Sequence, residues 1–151
     1  MKNTIAGLSL LVSGCHTIHP QILPQYDNHG DEIAFLEERN NPHGASSKYI
    51  KGVPTIKYDP FWMGQFPEEF QQFIFYHEVA HFKRGDLNNW GPYLGGGELD
   101  EMQREADCDS LLYLRDTFHY TPRQFATIYE FASLYLDQKR ADDMIICLTH
   151  K

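Results

Sequence analysis

The sequence is short of basic residues and of cysteine, and it has no internal repeat. Thirteen Lys and Arg stand against 21 Asp and Glu, which gives a net charge of −8 at pH 7. Because a surface that binds nucleic acid must be basic, this balance argues against a nucleic-acid partner. The absence of repeats and of low-complexity tracts argues against a solenoid or a fibrous chain.

The composition and length of the chain are those of one globular domain. Hydrophobic residues make up 42% of the 151 residues, aromatic residues 14% and charged residues 23%. This is close to the ordinary composition of folded proteins, with a high aromatic share. The length suits a single domain with a hydrophobic core of its own.

The N-terminus has the pattern of a secretory signal. Lys2 precedes an apolar run, residues 5–12, which is followed by Ser-Gly-Cys15. The run is too short for a mature transmembrane helix, which needs about 20 apolar residues. A positive start, an apolar stretch and small residues before a cleavage site are typical of a signal peptide. We therefore predict that residues 1–14 are a signal peptide.

The segment Val-Ser-Gly-Cys15 resembles the lipobox of bacterial lipoproteins, in which an aliphatic and two small residues precede the acylated cysteine. The resemblance implies lipid on Cys15 and a mature chain tethered to a membrane of the bacterial cell envelope, on its periplasmic or extracellular face. The alternative is a cytoplasmic protein in which this cysteine is incidental. Mass analysis of the mature N-terminus distinguishes the two, since an unmodified Met1 would exclude the lipoprotein.

The rest of the chain divides by composition. Residues 15–48 are rich in Pro, Gly, Asn and His and are expected to form a linker or N-terminal segment, with a brief helical stretch at residues 32–38. Residues 49–151 form the predicted domain. It begins with a strand at 53–58, where β-branched residues alternate between turn signals. Because Pro54 has no amide hydrogen, this strand is expected at a sheet edge.

Three helices are predicted in the domain. The first begins after Pro67 with two glutamates and ends at Gly85 after a lysine and an arginine, which suits the helix dipole at both ends. The second is predicted at residues 98–116. The third begins at Thr121, where T-P-R-Q is a capping-box pattern, and runs to about Asp137. With the strand, these helices predict an α+β fold.

The two other cysteines are Cys108 and Cys147. If Cys15 is lipidated, they lie in an oxidising compartment, where disulfides persist. A disulfide between the second helix and the C-terminal tail is one outcome, and two free thiols are the other. The choice depends on the distance between their Cα atoms, which the sequence does not contain.

The segment HEVAH, His77 to His81, carries the chemistry. Residues four apart lie on one face of a helix, so both imidazoles can bind one zinc ion. Glu78 follows the first histidine and can hold the zinc-bound water as a general base. Zinc lowers the pKa of that water to near 7, so that hydroxide can attack a polarised carbonyl. The motif therefore predicts peptide hydrolysis with a zinc cofactor.

A chance match is the main alternative for HEVAH. With eight histidines in the chain, roughly 3% of shuffled sequences would contain H-E-x-x-H. The match, however, lies in the middle of a predicted helix and follows an apolar run. Two core histidines beside a glutamate would be costly to bury without a metal or other partners. We therefore favour the zinc site.

A catalytic zinc needs a third protein ligand and leaves its fourth position to water. No third histidine follows at the metzincin spacing, because Arg84 and Leu87 stand where that pattern has its Gly and His. The second predicted helix offers several carboxylates instead. Among them, Glu105 and Asp109 stand four residues apart.

HEVAH with a following Glu-x-x-x-Asp resembles the gluzincin metallopeptidases, and small bacterial members more than the larger thermolysin. The resemblance covers about residues 50–118. It implies a small zincin-like fold, with a short edge-strand sheet packed on the motif helix, and an extended substrate laid along the strand at 53–58. It also implies that Glu105 is the third zinc ligand. Asp109 would then accept a hydrogen bond from His77 and fix its tautomer.

A second frame is open on the same helix, because many related members carry E-x-x-A-D. Anchoring on Ala106 and Asp107 would put Gln103 at the ligand position and Asp107 behind the histidine. Gln is a poor zinc ligand, so we prefer the frame with Glu105 and Asp109.

The sequence thus predicts a zinc-dependent endopeptidase that acts on a protein or peptide, with one Zn²⁺ ion held by His77, His81 and Glu105. The rival is a non-catalytic lipoprotein that keeps the zinc or only the fold. Glu78 argues against this rival, since a structural site needs no base. Glu78→Gln is expected to keep the metal and lose activity, and Glu105→Ala to lose much of both. The sequence leaves the substrate's identity and the oligomeric state open.

Overall fold

The computed structural model describes residues 24–88 and 96–150. Within these ranges the chain forms a three-stranded sheet and five helices, so the predicted α+β class is confirmed. The elements are β1 (Ala34–Glu37), β2 (Ala45–Ile50), β3 (Val53–Tyr58), α1 (Pro60–Met63), α2 (Glu68–Arg84), a 3-10 turn (Asp86–Asn88), α3 (Gly96–Phe118), α4 (Pro122–Tyr135) and α5 (Gln138–His150).

The predicted signal peptide and the predicted lipidation site, Cys15, lie outside the described residues. Among the helices of residues 24–88 and 96–150, none is both long and apolar enough to cross a membrane. The lipid anchor therefore stays a prediction.

The sheet has the order β1-β3-β2, which makes β3 the central strand. The prediction that β3 lies at an edge is wrong. β1 runs parallel to β3 and pairs only with Thr55–Tyr58, whereas β2 runs antiparallel along the whole of β3. Pro54 lies before the part of β3 that pairs with β1, which begins at Thr55. Its lack of an amide hydrogen therefore removes no hydrogen bond between β3 and β1. Within the described residues no strand pairs with the other edge of β2, and β2 contacts α2.

The segment predicted as a linker contributes to this sheet. The predicted boundary between residues 48 and 49 falls inside β2, and the brief helix expected at residues 32–38 is β1. The side chain of Phe35 explains the difference, because its ring packs edge-on against Phe75 of α2 with 5.9 Å between the centroids. Such tertiary contacts outweigh the local helical preference. The described part of the segment therefore belongs to the same domain as the helices.

The predicted motif helix is confirmed as α2. It follows Pro67, and it ends at Gly85, whose φ of 73° lies in the left-handed region that favours glycine. Most of its residues are buried, including Phe70, Phe73 and Phe82. The helix contacts β2 and β3 as well as α3 and α4. A helix covered on nearly all sides holds its histidines in the interior of the protein.

The C-terminal helices form the outer layer beside α3. The predicted capping box at Thr121 is confirmed, since Thr121 and Gln124 bond to each other's backbone at the start of α4. Helix α5 was not predicted from the sequence. It packs on α3 and α4, and the disulfide between Cys108 and Cys147, with Cα atoms 5.7 Å apart, joins it to α3. Of the two outcomes for these cysteines, the structure has the disulfide.

Candidate metal centre

His77 and His81 lie side by side in the interior, one helical turn apart on α2. Their Nε2 atoms are 3.1 Å apart, and the two residues are 7% and 2% exposed. Two nitrogens that each bind a tetrahedral zinc at about 2.0–2.1 Å are separated by roughly 3.3 Å. The spacing of the two imidazoles therefore suits one shared metal ion.

Each imidazole has a carboxylate behind it. Nδ1 of His77 lies 2.8 Å from Oδ1 of Asp107 on α3, and Nδ1 of His81 lies 2.8 Å from Oδ2 of Asp86. Asp86 reaches back because Gly85 turns the chain at the end of α2. A carboxylate that accepts the Nδ1 hydrogen fixes the tautomer in which Nε2 carries the lone pair. Such a contact favours Nε2 as the atom with the lone pair in both rings, most clearly in His81, whose contact with Asp86 also has hydrogen-bond geometry.

The two Nε2 atoms are too close for both to present a lone pair with nothing between them. Two lone pairs at this distance repel each other unless a proton or a metal ion lies between them. Burial lowers the pKa of His77, but the charge and hydrogen bond of Asp107 outweigh it, so the net direction is upward. Burial and the neighbouring His77 hold the pKa of His81 below its ordinary value. The pair can hold one hydrogen or one cation between its Nε2 atoms.

The structure does not bring Glu105 and Asp109 to the histidines. Their side chains are 46% and 41% exposed and pair with Arg84, from which Nη1 reaches Oδ2 of Asp109 at 3.2 Å and Nη2 contacts the carboxylate of Glu105. The prediction that Asp109 lies behind His77 is wrong, because Asp107 occupies that place. Glu105 likewise pairs with Arg84, so the structure does not bring the predicted third ligand to His77 and His81. A shift of two residues turns a helix by roughly 200°, so the two frames face opposite sides of α3.

Gln103 has the position that the second frame gives it. It lies one turn before Asp107, and its side-chain Nε2 is 3.4 Å from Nε2 of His81. Rotation of the amide by half a turn would present its oxygen, an acceptor, at the same place. The part of the chain that the structure describes has no group of three His, Cys, Asp or Glu that could hold a metal. Among the described residues, the polar side chain of α3 that approaches Nε2 of His81 is the amide of Gln103.

Glu78 faces the same cavity as the two histidines. This cavity, of about 580 Å³, is lined by residues of β2, α1, α2, α3 and α5 and of the loops beside them. The hydroxyl of Ser47 on β2 contacts the Oε2 atom of Glu78 and lies 3.0 Å from its backbone oxygen. The opposite carboxylate oxygen, Oε1, has no bonded partner within the described ranges. The apolar part of the wall includes Trp62, Phe73 and Ile74.

Three residues near the histidines were not identified from the sequence. Asp86, Ser47 and Arg140 lie near the histidines only because the chain folds, and each is a common polar residue in an ordinary context. Asp86 could have been found, since a carboxylate directly after a helix-ending glycine can fold back on the last turn. Ser47 and Arg140 come from β2 and α5, and one of these elements was placed in a linker while the other was not predicted.

No protein-family model matches this chain, and no curated protein or solved structure matches it either. The resemblance to the gluzincins therefore rests on the residues of the sequence motif alone.

Proposed function

We propose that this protein is a zinc-dependent endopeptidase with a zincin-like fold. The observation that supports it best is the convergence of two carboxylate-backed imidazoles, His77 and His81, on one point beside the carboxylate of Glu78. These histidines would hold the ion, with Gln103 as the third and neutral donor. Bound zinc would supply Lewis acidity and a water of lowered pKa. An ordinary pair of core histidines does not need an acid behind each ring.

Glu78 is the proposed general base. Its Oε2 atom is fixed by Ser47, so the carboxylate cannot turn freely. Its Oε1 atom is then the oxygen that takes a proton from water in the cavity and returns it to the departing amine. The hydroxyl of Ser47 also donates to the backbone oxygen of Glu78, and this hydrogen bond joins β2 to α2. The position of the base thus depends on the strand next to it.

A peptide is the proposed substrate, because the cavity runs along the free edge of β2. Ala45, Ser46 and Ser47 of this strand line the cavity, while β3 pairs with the other edge. An extended peptide can add to such an edge through main-chain hydrogen bonds. In this proposal the strand along which the substrate lies is β2, and not the strand at 53–58 that the resemblance implied.

The lipid anchor at Cys15 belongs to this proposal. It would place the peptidase at a membrane of the bacterial cell envelope, where a disulfide between Cys108 and Cys147 persists. The disulfide supports this location over the cytoplasmic alternative, in which thiols are kept reduced.

Zinc affinity tests whether Glu105 or Gln103 is the third ligand. We expect Glu105→Ala to bind zinc like the wild type, since Glu105 contacts Arg84 on the far side of α3. Gln103→Glu should raise the affinity about 10-fold or more, because a carboxylate adds charge to the ligand set. Competition with a chromogenic chelator measures both. A loss of zinc in Glu105→Ala with no change in Gln103→Glu would restore the first frame.

A non-catalytic zinc-binding lipoprotein is the second candidate. Gln103 is the observation that favours it, because a neutral amide binds zinc more weakly than a carboxylate. This candidate predicts that the zinc-loaded protein leaves casein and extended peptides intact. Cleavage that depends on Glu78 would exclude it.

A further inference from the structure

Arg140 of α5 binds the carboxylate that lies behind His77. Its Nε is 2.9 Å from Oδ2 of Asp107, and its Nη2 is 2.7 Å from Oδ1. That Oδ1 is also the atom that lies 2.8 Å from Nδ1 of His77. Asp107 and His77 are buried, at 2% and 7% exposed, whereas the Arg140 side chain is 22% exposed. The three side chains therefore connect α5 through α3 to α2, with the partly exposed guanidinium at the outer end.

The two N–H groups of the Arg140 guanidinium fix the plane of the Asp107 carboxylate, which the single contact with His77 does not. A carboxylate held by one imidazole can still turn about its Cβ–Cγ bond, whereas two parallel N–H bonds from Arg140 hold the plane of the group. With this plane held, Oδ1 of Asp107 stays within 2.8 Å of Nδ1 of His77, close enough to accept its hydrogen. The ring of His77 is then held with Nε2 towards the metal position.

Helix α5 is itself fastened at this place. Cys108, the residue after Asp107, is joined by the disulfide to Cys147 of α5. The backbone amide of Arg140 donates to Oδ1 of Asp137 at 2.7 Å, which fixes the first turn of the helix. Ala141, the next residue, is fully buried. Arg140 therefore projects from a rigid element.

We infer that Arg140 is a positioning residue that orients His77 for metal binding through Asp107. The inference rests on the proposed function, because it assigns to α5 the task of preparing one zinc ligand. It gives a role to a helix that brings no histidine or motif residue of its own to the site.

The first test uses metal-free protein, so that it does not depend on zinc. Nitrogen NMR of ¹⁵N-histidine-labelled protein reports which ring nitrogen of His77 carries the hydrogen, with the signal assigned by its loss in His77→Gln. In the wild type we expect the Nδ1–H tautomer. In Arg140→Ala and in Arg140→Lys, which keeps the charge but loses the fork, we expect a mixture of the two tautomers.

The second test measures zinc affinity in the same variants. Loss of an outer partner of a ligand histidine typically lowers metal affinity about 10- to 100-fold, and we expect about 10-fold for both. The matched control is Asp143→Asn, which weakens the other ion pair between α5 and α3, Asp143 with Arg104 at 4.0 Å. It should leave the tautomer and the affinity within twofold of the wild type.

The possible results distinguish the role of Arg140 from the proposed zinc-dependent function. An unchanged tautomer in both Arg140 variants overturns the inference, as does an equal loss in Asp143→Asn, which would show that only the docking of α5 matters. Arg140→Lys also covers the case in which Arg140→Ala fails to fold. If wild-type protein binds no zinc, the proposed function fails, while the tautomer measurement still decides the role of Arg140.

Discussion

Replacing Glu78 by glutamine should lower kcat/KM for casein or an extended peptide by about 10²- to 10⁴-fold, which is the usual contribution of a general base. The amide has nearly the same shape as the carboxylate but cannot take a proton from water. Zinc should remain bound, because His77 and His81 are untouched and Glu78 is not among the proposed ligands. Peptide cleavage assays with matched zinc occupancy measure the effect.

Glu105→Gln is the control for this change, since it replaces the same chemical group on a surface that faces Arg84. We expect it to cleave like the wild type. If Glu78→Gln cleaved as fast as the wild type with zinc bound, Glu78 would not be the base. If the zinc left together with the activity, Glu78 would be a ligand instead.

Removing the disulfide with Cys108→Ala and Cys147→Ala should lower the free energy of unfolding by about 4 kcal/mol, because the bond closes a loop between residues 39 apart in sequence. For a chain of this length, such a loss corresponds to a fall in Tm of about 10 °C. Thermal unfolding followed by circular dichroism measures it. Each single variant should fall as far as the double variant, since either one removes the whole bond.

A reducing agent provides the control for the disulfide. Wild-type protein in excess dithiothreitol should unfold near the Tm of the double variant, and dithiothreitol should leave that variant unchanged. A wild-type Tm that does not respond to the reducing agent would contradict the bond. The same series measured with zinc shows whether fastening α5 to α3 also supports the site.

The parts of the fold that follow local rules could be predicted from the sequence. The start and end of α2 depend on Pro67 and Gly85, and the start of α4 depends on the capping box at Thr121. These signals act within one turn of the helix that they begin or end. For the same reason His77 and His81 could be paired from their spacing alone.

Local rules do not predict which face of α3 turns towards the histidines. Asp107 and Asp109 both lie within a helix in which charged and apolar residues are mixed, so the sequence does not say which face is buried. The structure buries Asp107 with Leu111 and Leu114, four and seven residues further on, and leaves Asp109 half exposed. Ligand chemistry favoured Glu105 over Gln103. Packing decides in favour of the opposite face, and ligand strength has no part in that choice.

The order of the sheet could not be predicted, because pairing between strands is non-local. Pro54 pointed to an edge, but the shortness of β1 lets a central strand carry a proline at its start. Strand β1 looked helical for the same reason, since its partner β3 lies about 20 residues later in the chain. Helix α5 has its buried residues Ala141, Met144 and Cys147 three apart, a signal easily lost among charged neighbours.

The free edge of β2 has a consequence for the products of the reaction. Successive side chains of a strand point to opposite faces, so a paired peptide can slide along β2 by two residues and present the same face to the cavity wall. A slide of one residue would exchange the two faces and direct the opposite side chains at Trp62 and Ile74. Because Ser47 fixes Glu78 at one point of the same strand, the proposed peptidase would cleave a paired peptide opposite that one point. Peptides of repeating sequence should therefore give fragments whose lengths differ by even numbers of residues.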